Sequence, residues 1–263
     1  MKLVTFASGS SGNCALVRQG ESCVLIDAGI SMRRIRAGLT RQGLNLENLG
    51  GILITHEHAD HVSGLSMLVK YHAIPVYAPR TVGNHLLRAV PGLEDCLTII
   101  GKEEPFSVQN FRITAFPTPH DTDESVGYCL EGEGRLGFCT DTGSVTETML
   151  SHLSGCGAVL IEANHDLEML RYGPYPVYLK RRILSERGHL SNADCGELAC
   201  ALAERGTGRI ALGHLSRENN TPRLARDTVR AALDAAGHAA VELYVAPAEG
   251  DMELEIEPCC ASN

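Results

Sequence analysis

The sequence predicts an α/β domain in which two β-sheets pack face to face and helices cover their outer sides. Three features predict it. Short apolar strands joined by tight Gly/Ser turns open the chain, and helices alternate with apolar strands through its second half. No repeat, low-complexity tract or Pro/Ser-rich linker divides residues 1–263, so a single domain is expected. Strands are expected at 2–6, 14–18 and 22–27, then a basic helix near 32–42. The apolar run 51–55 lacks alternation, as in a strand buried on both faces. A helix at 62–72, a strand at 74–77 and a helix at 80–90 follow. Three to four strands share 97–140, with Glu131-Gly132-Glu133-Gly134 as a hairpin turn. Beyond them the pattern gives helix 144–153, strand 158–162, helices 175–187 and 192–205, strand 209–213 and helix 221–236. Strands at 241–245 and 253–257 close the chain.

Composition narrows the class. Hydrophobic residues make up 44% and charged residues 21% of 263, a globular balance that rules out a disordered chain. No apolar run approaches the roughly 18 residues of a membrane span, and the N-terminus lacks a signal-peptide core. A cytoplasmic protein with no membrane partner is expected. The ten cysteines, at 14, 23, 96, 129, 139, 156, 195, 200, 259 and 260, lie mostly in apolar runs without a CxxC pair. Buried reduced thiols are expected rather than a disulfide framework or a cysteine zinc site.

The net charge of −9 disfavours nucleic acid as a partner, but its distribution does not. Residues 31–41 carry Arg33, Arg34, Arg36 and Arg41 with no acid. Residues 171–187 carry Arg171, Lys180, Arg181, Arg182 and Arg187 against Glu186. Two readings stand side by side: solvated helix faces, or phosphate contacts made by Arg33, Arg34, Lys180, Arg181 and Arg182, which need local positive charge only.

The chemistry concentrates in Thr55-His56-Glu57-His58-Ala59-Asp60-His61, between a buried strand and a helix. In such a turn His56 and His58 can face one point while Asp60 and His61 face a neighbouring one. That arrangement suits two adjacent metal ions, whereas a mononuclear catalytic zinc needs only three protein ligands. Further donors stand where apolar strands open into polar turns: His120, Asp141 and His214. Imidazole and carboxylate donors accept zinc, manganese or iron. Glu57 is expected to point away, and His165 to serve either the site or the fold. The Ser8–Asn13 loop can be read as a phosphate cradle or as a tight hairpin turn.

With His56, His58, Asp60 and His61 in an HxHxDH motif, and His120, Asp141 and His214 following in order, the chain resembles the metallo-β-lactamase superfamily over nearly its whole length. The resemblance implies a four-layer αββα sandwich with two divalent metals at one edge. It implies that His56, His58 and His120 hold one ion, that Asp60, His61 and His214 hold the other, and that Asp141 bridges them. Blocks such as 7–13 (ASGSSGN), 160–166 (LIEANHD), 188–192 (GHLSN) and 214–220 (HLSRENN) are similar to the YycJ/WalJ group, which is linked to exonuclease activity on DNA. Asp141 argues against a true β-lactamase, where Cys or Ser stands. The 73 positions from 141 to 214 leave no room for a β-CASP insertion.

This resemblance implies a metal-dependent phosphodiesterase, expected to be a 5′-to-3′ DNA exonuclease with a role in repair. The alternatives are a small-molecule hydrolase of the same fold, acting on a thioester, lactone or β-lactam, and a repair accessory protein with slow turnover. In the nuclease reading Asp60 or Asp141 orients the attacking water. His189 protonates the leaving oxygen, and Glu162 holds His189 in its donor form.

Overall fold

A computed structural model describes residues 1–257; Cys259 and Cys260 lie outside the described residues. Its strands are β1 (Lys2–Ala7), β2 (Cys14–Gln19), β3 (Ser22–Ile26), β4 (Leu49–Leu53), β5 (Val76–Pro79), β6 (Leu97–Ile100), β7 (Phe106–Val108), β8 (Phe111–Pro117), β9 (Val126–Glu131), β10 (Arg135–Cys139), β11 (Ala158–Glu162), β12 (Arg209–Gly213), β13 (Glu242–Val245) and β14 (Met252–Glu255). Its helices are α1 (Met32–Arg41), α2 (Ala59–Val62), α3 (Leu65–Tyr71), α4 (Arg80–Ala89), α5 (Glu147–Leu153), α6 (Leu167–Tyr172), α7 (Val177–Ile183), α8 (Asn192–Ala203) and α9 (Pro222–Ala235).

The strands form two seven-stranded sheets, ordered β14-β1-β2-β3-β4-β5-β6 and β13-β12-β11-β10-β9-β8-β7. Both are built alike. The strands β14 to β3 pair antiparallel and β3 to β6 parallel. In the second sheet β7 to β10 pair antiparallel and β10 to β13 parallel. Parallel pairing needs crossovers, and these place helices on the outer faces.

Three apolar layers result. Leu3, Val17, Val24, Ile26 and Leu53 of the first sheet meet Ile113, Tyr128, Leu136 and Leu160 of the second between the sheets. The opposite face of the first sheet, with Val4, Leu16, Leu25 and Ile52, packs on Ile35, Leu39, Leu68 and Leu86 of its helices. Val159, Ile161, Ile210 and Leu212 pack on Leu198, Leu202, Val229 and Leu233 on the far side. This is the four-layer αββα sandwich that the resemblance implies. Because the strands are covered on both faces, β4 and β11 read as continuous apolar runs. Leu25→Ala would cost about 2–5 kcal/mol through lost burial and the cavity left behind.

Four expectations change. The helix expected at 62–72 is broken into α2 and α3 at Gly64, whose N–H donates to the Ala28 carbonyl at 2.8 Å. A Cβ there would stand 2.1 Å from the Ile30 carbonyl oxygen, so the chain can pass only as glycine. The helix expected at 175–187 ends at Ile183, because the His189 N–H turns back to the Ile183 carbonyl at 3.0 Å. Five strands, not three to four, occupy 97–139, since the three-residue β7 is too short to show a period. The six-residue α6, capped by the Asp166 side chain on Met169 N, falls in a stretch not expected to be helical.

Candidate metal centre

The polar residues gather where β3, β4, β8, β10, β11 and β12 end, along one edge of both sheets. Asp27 follows β3, the 54–61 loop follows β4, His120 follows β8 and Asp141 follows β10. Glu162 is the last residue of β11, and His214 follows β12. Asp27, Asp141 and His214 all adopt left-handed backbone, with φ of 61°, 56° and 55°. Non-glycine residues pay for this conformation, and here it turns three side chains from the strand ends toward one point. At Gly29 a Cβ would stand 1.6 Å from the Asp60 carbonyl oxygen, so the loop after β3 lies directly against the HxHxDH loop.

Second partners orient the imidazoles. His61 Nδ1 lies 2.7 Å from Asp27 Oδ2, and Asp27 also accepts from Thr55 N–H at 2.9 Å. His56 Nδ1 lies 3.0 Å from Thr55 Oγ1, His120 Nδ1 lies 3.2 Å from the Gly188 carbonyl, and His214 Nδ1 lies 2.8 Å from Glu162 Oε1. In each case Nδ1 is tied back and Nε2 is turned inward, the usual means of fixing a ligating histidine. His58 is the exception and presents Nδ1, 3.1 Å from His56 Nε2 and 3.4 Å from His120 Nε2.

Four overlapping donor groups emerge. His56, His58 and His120 form one, and Asp60, His61 and His214 another with no residue in common; Asp141 joins His56 and His61 in a third and Glu162, His189 and His214 in a fourth. Asp60 Oδ2 lies 3.6 Å from both His61 Nε2 and His214 Nε2. Asp141 stands between the groups, with Oδ2 3.3 Å from His61 Nε2 and Oδ1 3.9 Å from His120 Nε2. Asp141 Oδ2 and His214 Nε2 are buried and make no hydrogen bond among the described residues. Orphaned polar atoms of this kind need an explanation, and a cation between the groups supplies one. The residues therefore fit divalent metals.

The electrostatics agree. Burial alone would raise the Asp141 carboxyl, but the His214, His61 and His120 rings hold it below the ordinary carboxylate range. Glu162 and Asp60 are likewise held low by neighbouring imidazoles against the effect of burial. Burial opposes a charge on His61, yet Asp141, Asp27 and Asp60 push it up to about 9. Burial and the surrounding rings drive His56 well down, leaving it a neutral donor. The pocket gathers ionised carboxylates and demands positive charge.

His189 adjoins this cluster. Its Nδ1 lies 2.7 Å from Glu162 Oε1, and its ring centroid is 5.1 Å from that of His120 and 5.4 Å from that of His214. Glu162 Oε2 accepts from Thr142 and Leu190 N–H at 3.0 and 3.2 Å, so all of the carboxylate is engaged.

A family model, the β-lactamase superfamily domain, matches residues 23–215. The exodeoxyribonuclease YycJ of Bacillus anthracis is 37% identical over 242 residues, covering 90% of this chain and 91% of the relative. The exodeoxyribonuclease WalJ of Streptococcus pneumoniae D39 is 36% identical over 234 residues, covering 87% and 86%. The chain belongs to the metallo-β-lactamase-fold superfamily, in the YycJ/WalJ group. It is a metal-dependent hydrolase. Among solved structures, the superfamily fold of YhfI from Bacillus subtilis superposes with a TM-score of 0.73 at 16% identity, over 96% of this chain and 99% of that one. Zn²⁺-bound PqqB from Methylobacterium extorquens gives 0.73 at 19% identity, over 97% and 100%.

Within this superfamily site, two contributors lie outside the sequence reading. Asn13 Nδ2 lies 3.0 Å from His61 Nε2 and 3.3 Å from Asp60 Oδ2, while its Oδ1 accepts Gly9 N–H at 2.8 Å. The Ser8–Asn13 loop thus reaches the centre through a side chain. Asp121 Oδ1 is buried 3.3 Å from His120 Nε2, and Oδ2 accepts from Arg182 Nε. Glu57 turns away to accept from the Thr122 hydroxyl.

The basic residues divide. Lys180 Nζ donates to the Arg171 and Gly173 carbonyls at 2.8 Å each, which closes the α6–α7 turn and engages the group read as a phosphate contact. Arg182 is paired with Asp121, and Arg181 is exposed. Arg33 and Arg34 lie in the first turn of α1, just after the Gly29 loop on the same edge. Six of the eight described cysteines are buried.

Proposed function

We propose that this chain is a phosphodiesterase acting on DNA, a 5′-to-3′ exonuclease with a place in DNA repair, and that it works in the cytoplasm as one domain spanning residues 1–263. The single observation that carries the reading is the Glu162–His189 pair standing beside the two donor groups. Phosphodiester cleavage expels an alkoxide that needs a proton, whereas a thioester site needs no such donor for its thiolate leaving group. The 36–37% identity to two exodeoxyribonucleases over most of the chain supports the DNA substrate.

In this reading His56, His58 and His120 hold one divalent ion and Asp60, His61 and His214 the other, with Asp141 shared; zinc, manganese or iron suits the donor set. When bound, the ions lower the pKa of water toward neutrality and neutralise charge on the phosphate. The chain supplies the rest. Asp60, a quarter exposed against 3% for Asp141, is the carboxylate that meets and orients the attacking water. Glu162 fixes the Nδ1–H of His189, which leaves the opposite ring edge to give a proton to the leaving oxygen. Asp27, Thr55 and Gly188 keep the remaining rings in register.

Duplex DNA labelled at either the 5′ or the 3′ end, incubated with Mn²⁺ or Zn²⁺ alongside a chromogenic cephalosporin, tests this. Early release of 5′-labelled nucleotides with the cephalosporin intact is the expected result. Cephalosporin turnover without DNA loss would overturn it in favour of a small-molecule hydrolase. Tight DNA binding without cleavage would overturn it in favour of an accessory protein.

A further inference from the structure

Five of the nine large apolar side chains that the described residues expose fall within 167–184. They are Leu167, Tyr172, Val177, Tyr178 and Leu184, with Tyr172 and Tyr178 77% and 75% exposed. Such clustering on a surface signals a binding face. On α7, Tyr178 shares one side with Arg181 and Arg182, three and four residues on, while Ile183 is the residue that α7 buries. Residues 167–187 hold five bases and two acids, a local charge of +3 in a chain of −9. The face leads straight to the centre: Arg182 is bonded to Asp121, whose other oxygen is 3.3 Å from His120 Nε2. Pro174 and Pro176 stiffen the turn that carries it.

We propose that the α6–α7 face is a stacking platform for unpaired bases of the nucleic-acid strand that enters the centre, with Tyr172 and Tyr178 each taking a base and Arg181 a phosphate. The inference rests on the nuclease reading and deepens it. A π-face accepts any base, and an interleaved guanidinium matches the backbone charge between bases. A second copy of the chain fits less well, because a two-fold contact would set +3 against +3.

Fluorescence anisotropy with a labelled oligothymidylate, its linkages phosphorothioate to resist cleavage, tests the platform against an abasic strand of equal length. Tyr172→Ala with Tyr178→Ala should weaken oligothymidylate binding roughly tenfold or more per ring. Abasic binding and the salt dependence should stay the same, and Tyr172→Phe with Tyr178→Phe should restore affinity. Equal loss on both strands, or no loss, would overturn the platform. So would sedimentation showing a wild-type dimer that the alanine variant dissociates. A wild-type chain that prefers base-bearing strands but digests no DNA removes the nuclease reading and leaves the platform. One that digests DNA but binds both strands alike does the reverse.

Discussion

Glu162 Oε1 accepts from His189 Nδ1 at 2.7 Å, and the same oxygen lies 2.8 Å from His214 Nδ1. One carboxylate thus serves two rings with different duties. His214 stands in the Asp60–His61–His214 group, whereas His189 joins neither that group nor His56, His58 and His120, and meets the centre only beside Asp141, Glu162 and His214. The two rings can be separated by mutation.

His189→Ala should keep metal content and fold but lower DNA turnover by about 10²–10⁴-fold, the usual contribution of a positioned proton donor. The loss should shrink for a nitrophenyl phosphodiester, whose leaving group departs without protonation. Rates on both substrates, with melting temperature and elemental analysis, check this. An unchanged rate on DNA would end the proton-donor role.

Glu162→Gln should differ in kind. It loosens His214 as well as His189, so metal affinity should fall by roughly 10–100-fold in addition to the loss of turnover. Competition with a chelator, followed by elemental analysis, reads the affinity directly. Full affinity with lowered turnover would mean that Glu162 serves His189 alone.

The sandwich and its donors were legible because their signals are local. Buried strands show as unbroken apolar runs, and four of the donors lie within six positions, His56 to His61. The supporting contacts join residues far apart and leave no spacing to read. Asn13 meets Asp60 and His61 across 47 and 48 positions, and Glu162 meets His214 across 52. Asp121 looks like an ordinary turn residue until α7 folds Arg182 onto it. Lys180 resembled a phosphate contact by charge alone, whereas its ammonium closes a turn.

Arg181 and Arg182 should behave differently when reversed. Arg181→Glu should weaken binding to every DNA sequence and lower the salt slope by about 0.7–0.9, the equivalent of one phosphate contact. Arg182→Glu also strips Asp121 of its partner beside His120, so metal content should fall too. Binding titrations across salt, paired with metal analysis, distinguish them. Identical behaviour of the two variants would make Arg182 a plain phosphate contact.

His165 gives the fold an acid limit. Both of its ring nitrogens are buried without a hydrogen bond among the described residues, and burial pushes its pKa from 6.5 down to about 4. Between those values the unfolded chain takes up a proton that the folded chain refuses. The contribution of His165 to stability is therefore full above pH 6.5 and falls as pH drops toward 4, by at most about 3 kcal/mol. Denaturant unfolding at several pH values should show that slope in the native chain and a flatter one in His165→Leu. Equal slopes would contradict the assignment.

In the proposed nuclease one Asp141 carboxylate unites two histidine-rich groups into a centre for two ions. Elemental analysis of purified wild type and Asp141→Ala, loaded with Zn²⁺ or Mn²⁺ and desalted, tests it most directly. Two ions per chain are expected in the wild type and a marked loss in Asp141→Ala, matched by loss in His58→Ala. Two ions retained in Asp141→Ala would contradict it.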